Sequence, residues 1–277
     1  MDADQKIAAL EAELAKLKAQ YSAPEISPLA PKGGFPDLPV VKGVRFASVA
    51  AGVKYQGRDD VMLMDCVAGT SVAGVFTKSA TRSANVLDCQ AKLKTYQPSD
   101  QGVAIVVNSG NSNAFTGRHG EESIAMICNE VAAQAGMPAG NVFTASTGVI
   151  GERLPHDRIV QKIAELNSNL RPDGAAAAAR AIMTTDTFPK GSSVSAAVGG
   201  KDINVVGFAK GSGMIAPDMA TMLVYIATDA AVDQAVLQSI LSGLNEKTFN
   251  SITVDSDTST SDSLMLVATP LRVLCAV

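Results

Sequence analysis

From residue 40 onward the chain alternates short Val- and Ile-rich runs with longer amphipathic stretches, which restricts it to folds that layer helices on sheet. Candidate strands span 44–50, 60–65, 71–76, 103–108, 141–146, 203–208, 222–228 and 263–268, flanked by Gly, Asp or Asn. Candidate helices span 119–135, 156–169, 174–184 and 231–244. In the third, Ala175 to Ala179 are strong helix formers. In the fourth, Val232, Val236, Ile240 and Leu244 recur at near-helical spacing and predict one buried face. Met222 to Ala227 is apolar throughout, the pattern of a central strand covered on both sides. The predicted fold class is α/β, a layered α+β sandwich.

The start of the chain reads differently. Ile7, Leu10, Leu14, Leu17 and Tyr21 fall at spacings of 3, 4, 3 and 4, an a/d stripe of about three heptads. An isolated helix of that length is marginal in water. Residues 1–22 are therefore a helical extension: a coiled-coil arm, a helix lying on the domain, or a frayed tail. Pro24, Pro28, Pro31 and Pro36 make 23–39 a linker.

Of the 277 residues 47% are hydrophobic, enough for a sizeable core, and the net charge is −4. No basic run offers a footprint for nucleic acid. No apolar stretch approaches the roughly 20 residues that span a membrane. Met1 to Lys6 is not of signal-peptide type, so a cytoplasmic protein is expected. Cys66, Cys89, Cys128 and Cys275 form no C-x-x-C pair, and with only His119 and His156 there is no zinc spacing. No metal or cofactor is expected, and the thiols read as structural. A Ser-His-Asp or Cys-His site would have to use one of two histidines. Both read as surface or capping groups: His119 lies in a Gly-Arg-His-Gly turn and His156 follows Pro155 at a helix start.

Chemistry gathers in a few stretches. Lys210-Gly211-Ser212-Gly213-Met214-Ile215-Ala216-Pro217-Asp218-Met219-Ala220-Thr221 leads directly into the apolar run. Cleavage of Ala220-Thr221 would put the Thr221 hydroxyl and a free α-amine on one residue, a nucleophile beside its own base. Gly211 and Gly213 permit unusual backbone angles and Pro217 stiffens the approach, so attack of the Thr221 hydroxyl on the Ala220 carbonyl, an N-to-O acyl shift followed by hydrolysis of the ester, is one reading. A flexible loop before a strand is the other. In Phe143-Thr144-Ala145-Ser146-Thr147-Gly148 a strand ends in hydroxyls and a bare amide, which suits an oxyanion hole or an ordinary turn. Met183-Thr184-Thr185-Asp186-Thr187 suits a polar substrate or a helix exit. Val107 to Gly117 is an Asn-, Ser- and Gly-dense stretch, expected as a tight hydrogen-bonded loop after a strand, without the lysine of a phosphate loop, which disfavours ATP.

In this order the stretches resemble the ornithine acetyltransferase family, bifunctional glutamate N-acetyltransferases of arginine biosynthesis. They are Gly74-Val75-Phe76-Thr77, Asn108-Ser109-Gly110-Asn111, Ser146-Thr147-Gly148-Val149-Ile150-Gly151, Thr184-Thr185-Asp186-Thr187, Lys210 to Pro217, and Thr253-Val254-Asp255. The resemblance covers about 27–269. It implies a layered α/β fold in a self-cleaving precursor, with an α-chain region at 40–220 and a β chain from 221 to 277. It implies cleavage at Ala220-Thr221, Thr221 as nucleophile, and Thr147 and Gly148 as the oxyanion hole. Thr184, Lys210 and Thr221 would bind substrate. The implied reaction moves an acetyl group from N-acetylornithine to glutamate, with acetyl-CoA a further donor in some members. The implied assembly is α2β2.

The chain departs from the family pattern at Asp218, usually Asn, and at Ser256 and Ser261, usually Gly and Asn. The family's β chain runs well beyond Val277, so this chain is expected to fold poorly or to be weakly active. The alternatives are a self-processing amidohydrolase or aminopeptidase, and a truncated, inactive relative.

Overall fold

β2 (Val61–Cys66) shows how the layers arise: Val61 and Leu63 sit in one apolar cluster, Met62, Met64 and Cys66 in another on the opposite face. Strand side chains alternate, so this strand is covered on both sides. The structure, a computed structural model, describes residues 3–22, 26–216 and 222–272. It comprises two units, residues 1–34 and 35–277.

The first unit holds the predicted helix, α1 (Ala3–Ser22). Ile7, Leu10 and Leu14 of its stripe are exposed, and the side chains of Leu17 and Tyr21 lie outside the described residues.

The second unit runs β1 (Val44–Val49), β2, β3 (Ser71–Phe76), α2 (Ala84–Thr95), β4 (Val103–Asn111), α3 (Arg118–Ala135), β5 (Val142–Val149), α4 (His156–Val160), α5 (Ile163–Ser168), α6 (Ala175–Ala181), β6 (Lys190–Val198), β7 (Lys201–Lys210), β8 (Leu223–Ala230), α7 (Gln234–Asn245) and β9 (Ser263–Arg272). The four-stranded sheet has the order β1-β2-β4-β5, antiparallel except for the parallel pair β4-β5. The five-stranded sheet has the order β3-β9-β8-β7-β6, and only β8-β9 is parallel.

The main core lies between the sheets. Phe46, Met62, Met64, Ile105, Val107 and Phe143 face Val206, Phe208, Leu223, Tyr225, Met265 and Val267. Phe208 meets Phe46 edge-on with ring centroids 5.8 Å apart. The Ala-rich α6 enters this core with Ala178, Ala179 and Ala181 fully buried. Methyl side chains let its backbone approach closely, and a Cβ on Gly174 just ahead of it would lie 2.6 Å from the Phe46 carbonyl oxygen. On the outer face of the four-stranded sheet, Val49, Leu63 and Val106 pack under Ile124, Ile127 and Val131 of α3 and Ile163 and Leu166 of α5. On the outer face of the five-stranded sheet, Val224 and Leu264 pack under Leu237 and Leu241 of α7. Helix, sheet, sheet and helix form four layers, and the Met222–Ala227 run is covered on both sides.

Three expectations need revision. In α7 the residues against the sheet are Leu237 and Leu241, while Val236, Ile240 and Leu244 are about half exposed at 50%, 46% and 57%. Periodicity finds an apolar stripe but does not say which stripe meets the sheet. The glutamines of α7 fix its rotation: Gln234 and Gln238 each donate to and accept from the backbone of edge strand β3, at Val72 and Gly74. The helix expected at 156–169 is two short ones, broken at Gln161–Lys162. α2 and β6 were not expected at all. α2 is capped by Ser83, whose Oγ accepts from the Val86 N–H. β6 is largely exposed and rich in Ser and Ala, and exists because the Gly199-Gly200 turn folds it onto β7.

Candidate functional site

At one end of the sandwich the parallel strands β4 and β5 finish together, with Gly110 opposite Gly148. Gly148 has φ +135°, and a Cβ there would stand 2.3 Å from the Gly110 carbonyl carbon and 2.6 Å from the Asn111 nitrogen. Only glycine fits this close approach. The two strand ends are locked by their own side chains. Asn108 Nδ2 donates to the Asn111 carbonyl, Ser146 Oγ to Asn108 Oδ1, and Asn111 Nδ2 to the carbonyls of Glu152 and Arg153. The loop expected at 107–117 is thus only partly a loop: Val107 to Asn111 complete strand β4, and 112–117 alone connects it to α3.

These glycines border a cleft of about 450 Å³ whose walls come from both sheets. Thr147 and Gly148 of β5, Thr184 after α6 and Lys210 at the end of β7 all line it. Four of the residues singled out in the sequence therefore meet in one place. Ala220 and Thr221 lie outside the described residues, as do Pro217, Asp218 and Met219. In sequence Thr221 stands two residues before Leu223, which pairs with Lys210 across β7 and β8.

Lys210 is buried, at 4% exposure, and its Nζ donates to Thr184 Oγ1 at 3.1 Å. Burial pushes its ammonium below the usual lysine value; the Asp186 and Asp262 carboxylates oppose that and the Lys190 charge adds to it. Asp186 is a hub. It accepts from Lys190 Nζ at 2.5 Å, from the Gly211 N–H at 2.7 Å and from the Thr184 N–H at 3.3 Å. Burial alone would raise its carboxyl, but the Lys190 and Gly211 bonds and the Lys190 and Lys210 charges outweigh it and hold it below the usual range. Asp186 thus ties the Thr184 loop to the end of β7, which carries Lys210.

Arg58 anchors the same loop from the other sheet. Its guanidinium donates to the Met183 carbonyl at 2.6 Å and stacks 4.3 Å from the Tyr55 ring centroid. Lys54 and Tyr55, also in the cleft wall, ride on a loop whose start is held by Asp60. The fully buried Asp60 carboxylate accepts from the N–H groups of Ala51, Gly52 and Val53. The remaining wall, Ser259 to Ser261, is fixed by Thr77 and Ser83: Thr77 Oγ1 donates to the Ser259 carbonyl and the Ser83 N–H to the Thr260 carbonyl.

Sequence reasoning missed Lys54, Tyr55, Asp60 and the hub role of Asp186. Asp186 could have been found as the one carboxylate among the hydroxyls of Thr184 to Thr187. Lys54 and Tyr55 carry no such signal.

The histidines and cysteines stand apart from this cleft. His119 Nδ1 pairs with Glu122 on α3, and His156 Nδ1 with Ser123 Oγ. Cys66, Cys89 and Cys128 are buried free thiols; Cys275 lies outside the described residues. Burial pushes the Cys89 thiol up to about 12 and raises the other two, which leaves them poor nucleophiles. Among the described residues no group of three or more His, Cys, Asp or Glu is placed to hold a metal, and no helix is long and apolar enough to cross a membrane.

Residues 45–273 match the model of the ArgJ family. The arginine biosynthesis bifunctional protein ArgJ of Ruegeria pomeroyi is 63% identical over 245 residues, covering 88% of this chain and 59% of that protein. The protein of the same name from Gluconobacter oxydans is 51% identical, covering 89% of this chain and 57% of its own. The chain thus spans somewhat over half the length of these curated relatives. Among solved structures, ArgJ of Bacillus halodurans superposes with a TM-score of 0.56 at 32% identity, covering 66% of this chain and 92% of that one. Ornithine acetyltransferase of Mycobacterium tuberculosis in complex with ornithine gives 0.53 at 31% identity, covering 66% and 93%.

Proposed function

The chain belongs to the ArgJ family, and from that premise we propose that it carries the nucleophile and oxyanion half of an N-acetyltransferase acting on N-acetylornithine and glutamate. The chain first cleaves itself between Ala220 and Thr221: the Thr221 hydroxyl attacks the Ala220 carbonyl, the acyl group passes from the Thr221 nitrogen to its oxygen, and water hydrolyses that ester, leaving a carboxylate on Ala220 and a free amine on Thr221. The freed Thr221 amine, with a pKa near 7.7–8.0 for an ordinary chain terminus, is a base suited to neutral pH. It takes the proton from the Thr221 hydroxyl as that oxygen attacks the acetyl carbonyl of N-acetylornithine. The developing oxyanion is held by the Thr147 hydroxyl and the Gly148 amide. Collapse returns the proton to the departing amine, releasing ornithine and leaving an acetyl ester on Thr221. The amine of glutamate then attacks that ester by the reverse path. Lys210, with Thr184, holds a substrate carboxylate.

The observation that carries this reading is convergence: Thr147 and Gly148 of one sheet, Lys210 of the other and Thr184 from the loop after α6 line one cleft. A second observation supports cleavage. Each solved relative is almost wholly covered, at 92% or 93%, by only 66% of this chain, so each is a shorter polypeptide, as an α chain would be. Acetyl-CoA as an alternative donor, an α2β2 assembly and a cytoplasmic setting belong to the same proposal.

The test is denaturing electrophoresis with N-terminal sequencing. Two fragments, the smaller beginning at Thr221, are expected, with one uncut band for Thr221→Ala. Unchanged cutting in Thr221→Ala would refute autocatalysis. Products from N-acetylornithine with and without glutamate separate acetyl transfer from hydrolysis, which would yield acetate.

A further inference from the structure

β7 and β8 are antiparallel neighbours with Lys210 opposite Leu223, a pairing that a two-residue turn could close. Instead twelve residues, 211–222, separate the two strands in sequence. The described first part of this stretch, 211–216, is held by distant carboxylates. The Gly211 N–H donates to Asp186. Further along, the Met214 N–H donates to Asp255 Oδ2 at 2.6 Å and the Ile215 N–H to Asp255 Oδ1 at 2.9 Å. The two oxygens of one carboxylate thus take two consecutive amides. The chain around Asp255 completes the grip: the Ile215 carbonyl accepts from the Val254 N–H at 2.9 Å and from Thr253 Oγ1 at 3.3 Å.

What is held is a conformation the backbone disfavours. Met214 has φ +58°, left-handed for a residue with a side chain. Two bonds to a charged acceptor, stronger than neutral ones, compensate. The gripped segment has two attachments of consequence. Gly213 and Met214 line the cleft, and Ile215 lies five residues before Ala220. Acyl shift requires the attacking hydroxyl and the carbonyl to meet in one geometry, and freedom upstream dilutes that geometry.

We propose that Asp255 is a positioning residue for self-cleavage, clamping Met214 and Ile215 so that the chain enters the scissile segment from a fixed point. This rests on the self-cleavage reading above. Asp255 is exposed, so a small carboxylate from solution can reach its place.

The test follows cleavage of freshly translated full chain over time, for the parent, Asp255→Ala and Thr221→Ala, with and without added formate. Asp255→Ala is expected to cleave about 10- to 100-fold more slowly than the parent, the scale of a small misplacement. Formate is expected to restore part of the rate in Asp255→Ala and to leave the parent unchanged. A purely structural defect would not respond to formate. Parent-like cleavage of Asp255→Ala, or a slowdown indifferent to formate, overturns the proposal. If the parent itself is never cut, the self-cleavage reading fails and the clamp falls with it; a cut parent beside an unaffected Asp255→Ala leaves that reading standing and removes only the clamp.

Discussion

Replacing Gly148 by alanine places a methyl group inside the β4–β5 contact. Its Cβ would lie 2.3 Å from the Gly110 carbonyl carbon, 2.6 Å from the Asn111 nitrogen and 2.6 Å from the Gly110 oxygen. All three atoms are backbone, so no rotamer change relieves the overlap; the strand ends must separate. A φ of +135° adds about 1–3 kcal/mol for a residue with a side chain, and overpacking about 1–3 kcal/mol more. The sum is about 2–6 kcal/mol. At roughly 2–4 °C per kcal/mol for a chain of this size, the melting midpoint should fall by roughly 4–24 °C. Thermal unfolding of the 277-residue chain followed by circular dichroism measures it. Gly140→Ala is the control, because a Cβ there meets nothing within 4 Å, and it should change stability by about 0.5 kcal/mol or less. In processed protein, a displacement of about 1 Å at the Gly148 amide should also slow acetyl transfer by about 100-fold. A Gly148→Ala chain that melts within about 2 °C of the parent would show that the glycine pair is not a forced contact.

Asp60→Asn removes a charged acceptor shared by three amides and should cost about 2–4 kcal/mol in chemical denaturation, with faster hydrogen exchange at Ala51 to Val53 as the local signature. Asp186 has a lowered pKa, so its contribution to stability is present above the ordinary carboxylate value near 3.9 and is lost as pH falls through the lower folded value. Asp186→Asn should therefore be less stable than the parent at pH 7 and converge with it as the solution is acidified. Lys210→Met should raise the KM for a carboxylate-bearing substrate about 10- to 100-fold in processed protein, the worth of one charged hydrogen bond; an unchanged KM would remove Lys210 from substrate binding. Leu241→Ala should cost about 2–5 kcal/mol and Ile240→Ala under about 1, a contrast that equal losses would overturn.

The parts of this fold legible in the sequence are those where one residue pattern has one physical meaning. Met222 to Ala227 has no polar face and is buried on both sides. Thr147 and Gly148 end a strand, and the strand delivers them to the cleft. Where a pattern has two meanings the sequence does not decide. Val236, Ile240 and Leu244 repeat as regularly as Leu237 and Leu241, and it is Gln234 and Gln238 on β3 that choose between them. β6 carries no apolar signal because it lies at the edge of its sheet and borrows its geometry from β7. Asp60 and Lys54 were invisible for another reason. Their roles depend on where loops from distant strands meet, and nothing in their neighbours specifies that.

The strand order of the larger sheet, β3-β9-β8-β7-β6, bears on what a break in the chain can do. β8 and β9 follow residue 221, while β3, β7 and β6 precede it. The two later strands are parallel to each other and are bonded on one side to β3 and on the other to β7. A cut at 220–221 therefore yields fragments that are interleaved, like a card slid into a deck, rather than laid side by side. Neither could leave without opening two strand pairings and the core between the sheets. Under native conditions the cut molecule should migrate as one particle. In a cut molecule the hydrogen-bond ladder would do the joining that the backbone no longer does.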